Sequence, residues 1–169
     1  MIRPILRHGE TVLHTPARPV AIVDEGVRAL VDDMVQTMYA APGVGLAAPQ
    51  IGVPLRVFVV DVSVGRGARD LVVMINPVFL ERQGLQLEEE GCLSVPGFNA
   101  SVVRPARAVV RGLDQTGAER SVEGRDLLAR AFQHEMDHLD GTVFLDRLRS
   151  VQRRIMEHKI QRLKRRGRW

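Results

Sequence analysis

Two histidines four residues apart, with a glutamate directly after the first, lie in Gln133-His134-Glu135-Met136-Asp137-His138. On a helix, positions i and i+4 share a face, so both imidazoles can reach one metal ion. Glu135 sits one residue along and can reach a water held by that metal instead of the metal itself. This is the layout of metal-assisted hydrolysis. The only cysteine is Cys92, in Glu90-Gly91-Cys92-Leu93-Ser94-Val95-Pro96. A Cys/His/His set fills three positions of a four-coordinate site and leaves one open. A lone cysteine can also be inert and buried. Asp137 and Asp140 are open to two readings, as partners of the histidine N–H groups or as solvated helix charges.

A helix must carry the two histidines, and the pattern from about Asp126 to Gly141 predicts one. Leu127, Leu128, Ala131 and Phe132 are assigned to its apolar face. Residues 24 to 40 predict a second amphipathic helix, with Val27, Leu30, Val31, Met34, Val35 and Met38 at helical spacing. Asp24 caps it and Pro42-Gly43 ends it. Leu55 to Val62 and Leu71 to Ile75 read as strands, the second broken by Asn76-Pro77. Ser101-Val102-Val103 and Ala108-Val109-Val110-Arg111 are further strand pieces, and Asp114-Gln115-Thr116-Gly117 is a turn. A last helix runs from about Asp146 to about 166. Leu148, Val151, Ile155, Met156 and Leu163 make its apolar stripe, of which Leu148, Val151 and Ile155 are expected to pack on the body, leaving a separable basic tail from about Lys159. Helix, strands, then helices predict one α+β domain over residues 1–169. Its strands are mixed or antiparallel around the central HExxH helix, with an N-terminal amphipathic helix and a C-terminal basic one.

Composition bounds the rest. The chain has 169 residues, enough for one buried core, and its 45% hydrophobic and 26% charged residues are ordinary for a globular protein. No apolar run reaches membrane-span length, so no membrane partner is expected. One cysteine excludes an internal disulfide, and a thiolate ligand suits a reducing compartment, so the cytoplasm is expected. The net charge of +4 hides an asymmetry: residues 147–169 carry +9 and residues 1–146 carry −5. Such a tail fits a polyanionic partner or a solvated helix face.

Gly43-Val44-Gly45-Leu46-Ala47-Ala48-Pro49-Gln50 is small and apolar, with one polar side chain, Gln50. It has neither the lysine of a P-loop nor GxGxxG spacing. Gln50 offers N–H donors that never ionise, or it simply bonds a loop carbonyl. Together, GxGLAAPQ at 43–50, EGCLS at 90–94 and QHExDHLxG at 133–141 resemble the peptide deformylase family. The resemblance runs over nearly the whole chain. Some members carry an arginine shortly after EGCLSxP, where this chain has Gly97-Phe98-Asn99.

The resemblance implies a hydrolase that removes the formyl group from N-terminal formyl-methionine of new chains. It implies that Cys92, His134 and His138 bind the metal and that Glu135 handles protons. Gln50 and the Leu93 backbone N–H would stabilise the oxyanion, and Gly45 would lie beside the bound peptide. The metal would be ferrous iron, with zinc as the alternative. Gly45 and Gly91 suit a substrate strand coming close. Val44 and Ala131 are candidates for the wall of a methionine pocket. The expected partners are N-formylmethionyl nascent peptides and, through the basic helix, the ribosome, with the chain itself a monomer. Two rival readings are an HExxH endopeptidase and an RNA-binding module with a structural metal.

Overall fold

Alternation along one short strand decides which helix covers which face of the main sheet. In β2 (Val57–Val60), Val57 and Val59 turn to one side, and Phe58 and Val60 to the other. All four are fully buried, so the strand reads as an unbroken apolar run. Helix α1 (Glu25–Ala40) covers the first side with Val27, Leu30, Val31, Met34 and Met38. Helix α2 (Asp126–Leu139) covers the second with Ala131, Phe132, Met136 and Leu139. The Asp24 carboxylate caps α1 by accepting from the Val27 N–H at 2.9 Å. The structure, a computed structural model, describes residues 1–67 and 70–169.

The remaining strands are β1 (Gly45–Ala47), β3 (Val72–Gln83), β4 (Gln86–Gly91), β5 (Asn99–Arg104), β6 (Arg107–Leu113) and β7 (Glu119–Arg125). Five form a sheet in the order β1-β2-β3-β6-β7, and β4 pairs with β5 in a separate hairpin. Every pairing between these strands is antiparallel. This is an α+β domain with α2 against the sheet. A third core cluster joins Cys92, Val95, Val102, Phe144 and Leu145 to Ile160 of the last helix, α3 (Ser150–Arg165).

Asn76-Pro77 does not break its strand. β3 continues to Gln83 across a register shift between Ile75 and Val78. The bulge takes up the missing proline N–H. Asn76 has a φ of 52° there, and its side chain bonds both backbone groups of Val20, each at 2.8 Å. β4 and β7 were not anticipated, because Gln86–Gly91 and Glu119–Arg125 are mostly charged or polar. The last helix begins at Ser150, after a short turn over Phe144–Arg147, not at Asp146.

Its expected stripe fails at two positions and holds at Leu148 and Met156. Val151 is 70% and Ile155 52% exposed, whereas Ile160 is 1% exposed. Leu148, Met156 and Trp169 pack on the same cluster as Ile160. The Trp169 indole donates to the His8 carbonyl at 2.9 Å and meets the Phe98 ring edge-on at 6.0 Å between centroids. The segment beyond Lys159 therefore belongs to the body. Leu127 departs from its expected apolar face too: it is 49% exposed, at the rim of a cavity.

Candidate metal centre and substrate cavity

Helix α2 presents His134, Glu135 and His138, and the turn after β4 presents Cys92. The ligand atoms of Cys92, His134 and His138 all lie within 4.8 Å of one another. Cys92 Sγ is 3.3 Å from His138 Nε2. A tetrahedral ion with bonds of roughly 2.0–2.3 Å holds its donors about 3.3–3.8 Å apart. The three residues are nearly or fully buried. Their donor types and spacing fit one divalent ion.

The imidazoles differ in their surroundings. His134 Nδ1 lies 3.0 Å from Glu90 Oε2, which turns Nε2 toward the ion position. Burial pulls the His134 pKa down, but its Cys92 and Glu90 partners outweigh that and hold it well above the ordinary value. Burial, then the His134 and Arg104 charges, pull His138 well below it. A neutral imidazole is the form that binds a metal.

Glu90 is itself held tightly. The Arg104 guanidinium donates to both its carboxylate oxygens, at 2.6 and 2.9 Å, and Arg130 donates to Oε1 at 2.8 Å. Burial pushes the Glu90 carboxyl up, but the bonds from Arg104 and His134 outweigh it and hold it at about 2. Arg104 also reaches Asp137 at 2.7 Å, and Arg147 reaches Asp137 at 2.6 Å. Asp137 is thus neither a solvated charge nor the partner of a metal-site histidine. Asp140 is exposed and pairs with Arg56 at 2.9 Å. The sequence reading missed Glu90, Arg104, Arg130 and Arg147. The signal lay in β5, where Ala100, Val102 and Arg104 share the buried face. An arginine at an inward strand position needs a buried acid.

Glu135 is the contrasting carboxylate. Its Oε2 is buried without a hydrogen-bond partner among the described residues. Burial pushes its pKa up to about 7. Gly45 makes room for it: a Cβ there would sit 2.3 Å from Glu135 Oε1. Gln50 is fully enclosed. Its Oε1 accepts from the Ala47 N–H at 2.8 Å, which orients its Nε2 toward Ser94 Oγ at 3.2 Å and Cys92 Sγ at 3.6 Å. Among the described residues it bonds no loop carbonyl.

A cavity of about 430 Å³ opens onto these groups. Val44, Gly45, Gln50, Gly91, Cys92, Leu93, Ala131, His134 and Glu135 all border it, while His138 lies behind. Leu127 and Pro96, not singled out from sequence as cavity residues, border it as well. Two strands flank the opening. β1 is the outer strand of the five-stranded sheet, and β4 has β5 on one side only. Each therefore offers an unpaired edge to an extended chain.

The family model described as polypeptide deformylase matches residues 2–154. A peptide deformylase from Acidobacterium capsulatum is 46% identical over 169 residues, covering 100% of this chain and 99% of that protein. One from Acetivibrio thermocellus is 48% identical over 147 residues, covering 87% and 84%. The crystal structure of a peptide deformylase from Legionella pneumophila superposes with a TM-score of 0.91 at 41% identity, covering 99% of this chain and 98% of that one. That of the Ehrlichia chaffeensis enzyme in complex with actinonin gives 0.88 at 37% identity, covering 97% and 98%.

Proposed function

This chain belongs to the peptide deformylase family, and from that premise we propose the role of each residue in its site. The reaction is metal-dependent hydrolysis of the formyl group from the N-terminal formyl-methionine of newly synthesised polypeptides, releasing formate. Cys92, His134 and His138 hold the ion. When bound, it supplies the Lewis acidity that makes water nucleophilic near neutral pH.

Glu135 takes a proton from the attacking water and returns it to the leaving amine. Its raised pKa, about 7, suits both transfers. Negative charge builds on the formyl oxygen as water adds. The Gln50 amide and the Leu93 backbone N–H face that oxygen, and one such donor contributes roughly 3–4 kcal/mol. Gln50 is preorganised for this by its bond to the Ala47 N–H. The substrate backbone lies extended between the edges of β1 and β4, past Gly45 and Gly91. Its methionine side chain fills the apolar part of the cavity beside Val44, Leu127 and Ala131.

The observation that carries these roles is the placing of one partner-free buried carboxylate, Glu135, beside a Cys/His/His cluster at the floor of a cavity flanked by two strand edges. Formate release from formyl-Met-Ala under anaerobic conditions, with metal analysis, tests the reading. Cleavage at an internal peptide bond without formate would return the endopeptidase.

We propose ferrous iron as the ion, with zinc the alternative, since both suit Cys/His/His donors. Iron beside a thiolate predicts activity that decays in air, as the cysteine also oxidises. A thiolate ligand suits a reducing compartment, which supports the cytoplasm as the location. We take residues 1–169 as one domain acting as a monomer. Exposed cations on α3, including Arg154, Lys159, Arg162 and Arg165, support docking to ribosomal RNA.

A further inference from the structure

The two proposed oxyanion donors sit on separate stretches of chain. Gln50 lies in the short turn over Ala48–Ile51, and Leu93 in the turn between β4 and β5. Among the described residues no backbone hydrogen bond joins these two stretches directly. A third segment ties them together. The Leu6 N–H donates to the Gln50 carbonyl, and the His8 N–H donates to the Ser94 carbonyl, each at 2.8 Å. Two residues apart, both N–H groups turn to one side, as alternate residues of an extended chain do. Gln50 and Ser94 are fully enclosed, so each of these carbonyls needs a partner.

The strap is itself fastened. The Trp169 indole donates to the His8 carbonyl at 2.9 Å, and its ring meets Phe98, which follows Leu93 in the same turn. Among the described residues neither Leu6 nor His8 borders the cavity. We infer that Leu6 and His8, the second latched by Trp169, are positioning residues that set the spacing between the Gln50 amide and the Leu93 N–H. This rests on the deformylase reading and on the oxyanion roles proposed above.

The Leu6 bond acts on Gln50 itself, and the His8 bond on the residue after Leu93. An oxyanion donor works only at about 2.7–3.1 Å from the charge it meets. A misplacement of about 1 Å can cost on the order of 10²-fold in turnover. The strap reaches neither a metal ligand nor the methionine pocket through these bonds, so its loss should fall on kcat and spare KM and metal content.

Proline removes a backbone N–H, and alanine keeps it. On the metal-loaded enzyme, with formate release from formyl-Met-Ala as the readout, Leu6→Pro should lower kcat by roughly 10- to 100-fold at parent KM and metal content. Leu6→Ala loses only the side chain and should stay within about 2-fold in kcat. His8→Pro and His8→Ala should divide in the same way. In a Gln50→Ala background the Leu6→Pro penalty should shrink below about 3-fold, because the donor it positions is gone. A general loosening of the fold would instead carry the full penalty into that background. Trp169→Ala leaves the strap's own backbone intact, so it decides the matter should the proline variants fail to fold. It should cost roughly 3-fold in kcat at parent KM and metal content. Parent kcat in Leu6→Pro or in Trp169→Ala, an equal loss in Leu6→Ala, or an undiminished Leu6→Pro penalty beside Gln50→Ala would overturn the inference. No formate from the parent enzyme would instead sink the deformylase reading beneath it.

Discussion

Oε2 of Glu90 and Nδ1 of His134 lie 3.0 Å apart, joining the strand that leads to Cys92 to the helix that carries both histidines. Three of the chain's cations, Arg104, Arg130 and, through Asp137, Arg147, surround this contact. The metal centre is thus held by a buried charge network as much as by its own ligands.

Glu90→Gln should weaken metal binding by about 10- to 100-fold, the usual cost of losing the partner of a ligating histidine. It should also destabilise the fold by about 3 kcal/mol or more, because Arg104 and Arg130 lose a buried counter-charge. Competition with a metal chelator and denaturant unfolding measure the two effects. Parent-like metal affinity would show that His134 needs no partner.

Glu135→Gln should keep its metal and lose about 10²- to 10⁴-fold in kcat. In the metal-free protein the same change should stabilise, with a defined pH dependence. The folded carboxyl titrates near 7 and the unfolded one near 4.5. Between these values the unfolded chain has released a proton that the folded chain retains, so parent stability falls as pH rises and stays reduced above 7. The variant's gain should be near zero at about pH 4 and reach on the order of 3 kcal/mol by about pH 8. Thermal melts of both metal-free proteins across this range would refute it if the gain were flat.

Gly45→Ala should disable the enzyme without emptying its metal site. The new methyl would meet Glu135 Oε1 at 2.3 Å, so the carboxylate must move. A displacement of that size costs on the order of 10²-fold in turnover. Metal content should stay at the parent level. Unchanged turnover would mean that Glu135 works from another rotamer.

Ala131→Phe should fill the apolar part of the cavity. Formyl-Met peptides should lose roughly 10-fold or more in kcat/KM relative to formyl-Gly peptides. An equal loss for both would remove Ala131 from the methionine pocket.

Ribosome docking is best tested by charge removal, because a cut at Lys159 would also take away Ile160, Leu163 and Trp169. Ile160 and Trp169 pack on the cluster that contains Cys92, so the deletion should cost turnover as well. Arg154, Lys159 and Arg162 are exposed. Replacing all three with Gln should leave small-peptide turnover intact and weaken ribosome binding. The salt dependence of that binding should also flatten, by about 2–3 in logarithmic slope. Unchanged affinity would make these cations a solvated helix face.

Local patterns in the chain were enough for its reactive groups and for the helices that present them. HExxH specifies its own geometry, because i and i+4 meet on any helix, and the apolar period of residues 24–40 specifies α1. Strands are legible in sequence where apolar residues cluster, on both faces in Val57–Val60 and on one face in Ser101–Val103 and Ala108–Arg111. The charged strands β4 and β7 had no such signature. Tertiary structure alone decided what pairs across distance: Glu90 with His134, Arg104 with Glu90 and Asp137, the space at Gly45 for Glu135, and Trp169 against His8. Each joins residues on different elements, whose separation depends on how sheet, hairpin and helices pack. The bulge at Asn76-Pro77 and the inward turn of Ile160 have the same origin, since packing outweighs a local proline or an apolar stripe once the core closes.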